Sequence, residues 1–184
     1  MQFSFEIKGL DRLQEKLKKL PGVTEKAIHD GEEDVMDQAE AYAVEELQKT
    51  VKYSTGEMTR SLRTEVKLKS TGEIVGRLWS NDPIAVYREF GTGRNGERSP
   101  KIIPPNVTLT YRQTTWFIPV DKVDLDLTAI YGMQKIKIHD KEFYRTNGQP
   151  ASQFLTPAIE KAGRDADEII SKRIKEALNE NLWC

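Results

Sequence analysis

Two amphipathic stripes, one in each half of the chain, decide most of what it can fold into. Between Val23 and Thr50, the residues Ala27, Ile28, Val35, Met36, Ala39, Tyr42, Ala43 and Leu47, with Val51 just beyond, recur at helical spacing. Glu32, Glu33, Glu40, Glu45 and Lys49 lie largely off that stripe. Near the C-terminus Phe154, Leu155, Ala158, Ile159, Ala162, Ala166, Ile169, Ile170, Ile174 and Leu178 repeat the pattern. Pro157 is admissible in a first turn, and Asp165 and Asp167 precede Lys172, Arg173 and Lys175 in the order that the helix dipole favours. Stripes of this kind predict two long helices packed on a core.

The segments between and before them read as strands and turns. Phe3, Phe5 and Ile7 alternate with polar residues, which predicts a first strand ended by Gly9. Leu10, Leu13, Leu17 and Leu20 predict a short helix stopped by Pro21-Gly22. Ser54-Thr55-Gly56-Glu57 fits a capping box ahead of a short helix to about Leu62. Val66 and Leu68, a turn over residues 70–73, and Ile74 to Trp79 predict a hairpin, broken by Ser80-Asn81-Asp82-Pro83 because proline has no amide donor. An apolar run from Ile84 then meets Gly91 and Gly93, predicting a corner that buries Tyr87 and Phe90.

From Arg94 to about Asn147 the texture changes. Pro100, Pro104, Pro105 and Pro119 separate short apolar runs, of which Val107, Leu109 and Tyr111, Trp116, Ile118 and Val120, and Ile136 and Ile138 predict short strands without helices. The fold class is therefore α+β: a small antiparallel or mixed sheet packed by a long helix in the N-terminal half and a long C-terminal helix. A single domain over 1–184 carries a β-rich insertion at about 94–147.

Charge and motif content narrow the function. The chain has 28 basic and 29 acidic residues, a net charge of -1, so no general surplus of cations exists to neutralise phosphates, although a local patch is compatible with it. Cys184 is the one cysteine, which excludes an intrachain disulfide and suits a reducing site of synthesis. No segment reads as a leader or a membrane span, and a soluble, unprocessed protein is expected. Gly91-Thr92-Gly93-Arg94-Asn95-Gly96 matches Gly-x-Gly-x-x-Gly, but the prolines that follow deny it the strand-helix context of a dinucleotide site. His29 and His139 lack partner ligands at metal spacing, and Asp121, Asp124 and Asp126 lack the glycine and glutamate of a calcium loop. No nucleophile elbow is present, so catalytic residues, cofactor and metal are all read as none.

Four segments in order resemble the tail-completion, or head-tail joining, proteins of long-tailed bacteriophages, also called minor tail or neck proteins. After a long amphipathic helix comes a Thr-Gly-x-Leu-x-x-Ser-Ile signature, matched by Thr55, Gly56, Met58, Ser61 and Leu62. A strand ends near Ser80-Asn81, and a Tyr-x-Glu-Phe-Gly-Thr-Gly corner follows at Tyr87, Glu89, Phe90, Gly91, Thr92 and Gly93. A Gln-Pro-x-x-x-Phe-Leu-x-Pro-Ala stretch opens the last helix at Gln149, Pro150, Phe154, Leu155, Pro157 and Ala158. Lys52-Tyr53-Ser54 departs from the Pro-Val-Asp frequent before Thr-Gly, as Gln153 and Thr156 depart from the frequent proline and arginine around Phe-Leu.

The resemblance implies a non-enzymatic virion assembly protein made in the host cytoplasm. It implies a hexameric ring at the neck or upper tail that joins tail to head and lines part of the DNA passage. Implied partners are further copies of itself, the head-closure or connector protein, the tail terminator and the tail tube. DNA is met only in passage and without sequence specificity, and no membrane is involved. A tail terminator or another minor virion component is the alternative within assembly. A cell-wall hydrolase using exposed carboxylates is the alternative outside it. Tyr87, Phe90, Phe154 and Leu155 are expected to pack together as scaffold.

Overall fold

The computed structural model describes residues 10–50 and 55–182. The expected first strand, Val51, the Ser54 cap and Cys184 lie outside the described residues. Among the described residues six α-helices and five strands follow in the order α1 (Leu10–Thr50), α2 (Glu57–Arg60), β1 (Leu62–Leu68), β2 (Ile74–Ser80), α3 (Ala85–Phe90), α4 (Gly93–Arg98), β3 (Trp116–Pro119), α5 (Leu127–Tyr131), β4 (Gln134–Ile138), β5 (Lys141–Thr146) and α6 (Leu155–Leu182). The α+β class holds, with two separate small sheets. One is the β1-β2 hairpin; the other has the order β3-β5-β4, antiparallel throughout.

Residues 10–50 form one helix of 41 residues, where a stop at Pro21-Gly22 was expected. Phase explains the difference. Leu13, Leu17, Leu20, Thr24, Ala27, Gly31, Val35 and Ala39 continue one stripe at helical spacing through the proline, so helix formation on both sides follows the same face. The Thr24 hydroxyl donates to the Leu20 carbonyl at 2.9 Å beside the proline. The lost proline donor costs one bond in a ladder otherwise able to run unbroken. The stripe is buried from Ala27 onward, whereas Leu13 and Leu17 remain more than half exposed.

The chain divides into two compact units, the first formed by residues 1–41, 64–78 and 159–184 and the second by 42–63 and 79–158. In the first unit α1 and α6 approach closely at Gly31, where an added Cβ would sit 3.1 Å from the Ile170 Cα. The hairpin joins them at Gly76, whose N–H donates to Glu32 Oε1 at 3.1 Å and whose missing side chain leaves room for Met36. Asp34 and Arg173 form a two-bond pair, Nη2 to Oδ1 at 2.8 Å and Nε to Oδ2. Hydrogen bonding from Arg173 holds the Asp34 carboxyl below its ordinary range.

In the second unit the core gathers Ala43, Leu47, Leu62, Ala85, Leu127, Tyr144, Phe154 and Ala158, all buried. The expected strand at residues 107–111 is irregular, because Pro104 and Pro105 precede it and Tyr111 is tethered by its hydroxyl rather than by a ladder. The sequence reading missed β5, the central strand of its sheet, whose Tyr144 is 1% exposed. It also missed α5, a five-residue turn capped by Asp126, whose Oδ1 accepts from Thr128 N at 2.9 Å and Ala129 N at 3.4 Å. That bonding, chiefly from Thr128, lowers the Asp126 carboxyl, which also pairs with Lys135.

Two measurements check this packing. Gly31→Leu should lower the urea midpoint, by about 1–3 kcal/mol of stability, because the Ile170 backbone leaves no room for a side chain. Asp34 has a depressed folded pKa, so its contribution is present above the unfolded value and is lost as pH falls through the folded one. The Tm difference between the parent protein and Asp34→Asn, present at pH 7, should therefore shrink progressively as pH falls below the ordinary aspartate range.

Candidate functional site

The signature residues of the second unit converge on one carboxylate. Glu89, on the last turn of α3, is 3% exposed, and its oxygens face the start of α6. Glu89 Oε2 accepts from Phe154 N at 2.8 Å and Leu155 N at 3.0 Å, and Oε1 accepts from Thr156 N at 2.8 Å. The next residue, Pro157, has no N–H to satisfy. All the donors that a helix N-terminus leaves without an intrahelical partner are thus accounted for. A negative charge at this end of a 28-residue helix also interacts favourably with its dipole.

The double-glycine corner closes the same arrangement. Gly91 has φ 75° and Gly93 φ 58°, both in the region that favours glycine. A Cβ at Gly91 would lie 2.6 Å from the Gly96 Cα and 2.7 Å from the Ala151 nitrogen, so the turn is pressed against the returning chain. Thr92 N donates to the Gln149 carbonyl at 2.9 Å, and Gln149 N donates back to Thr92 Oγ1 at 3.1 Å. Asn95 Nδ2 donates to the Gly148 carbonyl at 2.8 Å, and Gln149 Nε2 to the Tyr87 carbonyl at 2.9 Å. Gln153 grips Ile102 in both directions, accepting from its N–H at 2.6 Å and donating to its carbonyl at 2.7 Å. The Tyr111 hydroxyl donates to the Phe90 carbonyl at 2.9 Å, and burial pushes its pKa up, so it remains a donor near neutrality.

The remaining signature has its own tie. Gly56 (φ 74°) turns the chain into α2 without a side-chain cap, and Glu57 takes the first helical position. The Ser54 half of the expected capping box lies outside the described residues; within them the Thr55 hydroxyl accepts from Glu57 N at 3.4 Å. Ser61 donates to the Met58 carbonyl at 2.6 Å and shares a 2.6 Å hydrogen bond with Ser80, while Asn81 N donates to the Ser61 carbonyl at 3.0 Å. Leu62 is buried beside them.

The expected aromatic junction is corrected in one respect. Phe154 is fully buried and Leu155 and Phe90 are partly buried, but Tyr87 is 54% exposed on the outer face of α3. The residue holding the junction is Glu89. Sequence reasoning missed its role because an acid inside a helical apolar run reads as a solvated position; its place six residues after Pro83 and two before Gly91 was the available signal. The helix α4 also opens at Gly93, where no helix was expected, but the glycines around it are occupied by the 147–151 backbone. Pro150 and Gln149 are exposed, and Ala158 is buried.

Among the described residues the His29, Asp30 and Glu33 side chains lie within 4.8 Å of one another on α1, where His29 Nδ1 and Glu33 Oε1 are 3.7 Å apart. This is the ordinary meeting of neighbours one helical turn apart. No described helix is long and apolar enough to cross a membrane. His139 sits in the exposed β4-β5 turn with φ 53°.

Replacing the capping carboxylate tests the arrangement. Glu89→Gln exchanges one acceptor for a donor facing other donors and should cost about 2–4 kcal/mol in urea unfolding. Tyr87→Ala, two positions away on the exposed face, should stay within about 0.5 kcal/mol.

Residues 11–91 match the model of a family described as Bacteriophage HK97-gp10, putative tail-component. No curated protein and no solved structure matches the chain. The matched segment contains α1, α2, the β1-β2 hairpin and α3, and it ends at Gly91, so Glu89 is inside it and the helix start that Glu89 caps is outside. Over residues 11–91, somewhat less than half of its length, the chain is thus similar to the HK97-gp10-like family of bacteriophage tail components.

Proposed function

We propose that the protein is a tail-completion subunit that joins tail to head, acting in a hexameric ring at the phage neck that surrounds part of the DNA passage. The observation that carries this reading is the tail-component match over 11–91. The ordered signatures at Thr55-Gly56, Tyr87 to Gly93 and Gln149 to Ala158 point in the same direction. In this reading the chain is one domain over 1–184, and the region of about 94–147 is an insertion that reaches a neighbouring copy or the adjoining connector. The signature residues other than the exposed Tyr87 serve as scaffold, and the protein works by shape and adhesion without a catalytic group.

A ring of identical subunits uses heterologous contacts, one face of a copy meeting a different face of the next. The exposed apolar side chains of Ile84, Val86 and Tyr87, at the end of the matched segment, supply such a face. Charged replacements there should leave the fold intact, since these residues are already in solvent. The decisive experiment is cryo-electron microscopy of intact particles, with Val86→Glu and Tyr87→Glu carried in the phage. Density for six copies at the neck, and variants that yield tails and filled heads left unjoined, are expected. Density at the tail tip, or full phage yield from both variants, would refute the joining role; a place at the tail end before joining would make the protein a tail terminator instead.

A further inference from the structure

The second unit contains a cleft of about 610 Å³ between the residues that follow α5 and those that follow β5. Arg88, Asn95, Tyr131, Gln134, Arg145 and Gln149 are among its described lining residues, and no Asp or Glu is among them. That composition is unusual for a chain in which acids slightly outnumber bases. Arg145 and Gln134 are opposite one another on neighbouring strands, β5 and β4, and both are exposed. Among the described residues neither side chain has a hydrogen bond or ion pair. Tyr131, half exposed at the rim, offers a hydroxyl and an aromatic face.

We propose that this cleft binds a phosphate-bearing ligand, with Arg145 as the principal cation, Gln134 and Tyr131 as further donors, and Arg88 adding positive charge at the wall. A guanidinium presents a planar fork matched to phosphate oxygens, and a site free of carboxylates imposes no repulsion on them. The volume lies within the range of small-ligand clefts and suits a nucleotide unit. A phosphate is favoured over a peptide carboxylate because the exposed tyrosine ring beside the cations gives a base something to stack on. The ligand has two sources, a DNA strand or a free nucleotide. With the whole chain near neutrality, attraction is local and short-ranged, which makes the site weak and strongly dependent on salt. The site is independent of where in the particle the protein sits.

The test uses the full chain at low salt with three probes: a fluorescent 12-nucleotide single strand, the same sequence as duplex, and ATP by calorimetry. At least one should bind, with a log-log salt slope of roughly -1.4 to -1.8, the value for two cations. Arg145→Glu and Gln134→Glu, both at exposed strand positions, should each weaken binding at least about tenfold while circular dichroism is unchanged. Lys137→Glu, on β4 with Gln134 but outside the cleft, should change it less than about twofold. Binding of an oligonucleotide alone identifies DNA as the source, and binding of ATP alone a free nucleotide; either supports the site. No binding by any probe, full binding by Arg145→Glu, or equal loss from Lys137→Glu would overturn it.

Discussion

A single carboxylate meeting three backbone N–H groups is the interaction on which the second unit depends. A helix start buried without partners would leave donors unsatisfied, each costing on the order of 1–3 kcal/mol. Here Glu89 reaches Phe154, Leu155 and Thr156, and Pro157 removes the remaining donor by its chemistry. The arrangement works in both directions. Burying Glu89 is tolerable because the helix supplies its hydrogen bonds and a favourable dipole, and the helix begins where it does because an acceptor is waiting there.

That carboxylate can reach its target only if the chain turns away immediately after it, which is the work of the glycines. Gly91 and Gly93 admit the left-handed backbone, and without side chains they let residues 147–151 lie directly on the turn. Asn95 and Thr92 then bond the returning chain at Asn147, Gly148 and Gln149. Entry to and exit from the intervening region are therefore pinned at one place. The sheet β3-β5-β4 and the proline-rich loop before it lie between those two points, and they pack back on the junction through the buried Tyr144, the Ile102–Gln153 pair and the Tyr111 hydroxyl on the Phe90 carbonyl.

Much of this was legible in the sequence, and the failures have common physical causes. The long helices and the β1-β2 hairpin followed from periodicity, which reports a buried face whatever it packs against. Pro21 was read as a stop because a local rule was applied without asking whether the stripes on its two sides were in phase. Tyr87 was assigned to the interior on side-chain character, and Glu89 was given no structural role, because a buried carboxylate is acceptable only once donors converge on it and its three donors lie some 65 residues away in the chain. The central strand β5 was overlooked because its Lys141, Glu142 and Arg145 obscure Phe143 and Tyr144. The double-glycine corner was recognised as a place of close approach, but the sequence could not say that its own chain would fill the space.

The use made of charged groups bears on how such a protein works. Glu89 is committed to a helix start, Glu32 to the Gly76 amide, Asp34 to Arg173 and Asp126 to the α5 cap. Each of these carboxylates has its oxygens directed at groups of its own chain. In the same regions the chain also presents apolar side chains outward, Ile84, Val86 and Tyr87 on α3, and Leu13, Leu17 and Leu20 among charged residues on the early turns of α1. At these places polar groups fix the chain, and apolar side chains stand where other molecules can reach them. An assembly component gains from that division, because adhesion through exposed apolar side chains is specific only when the backbone beneath them holds still. In α3 the same six residues do both: Glu89 faces inward and immobilises the helix, and Val86 and Tyr87 face outward from it.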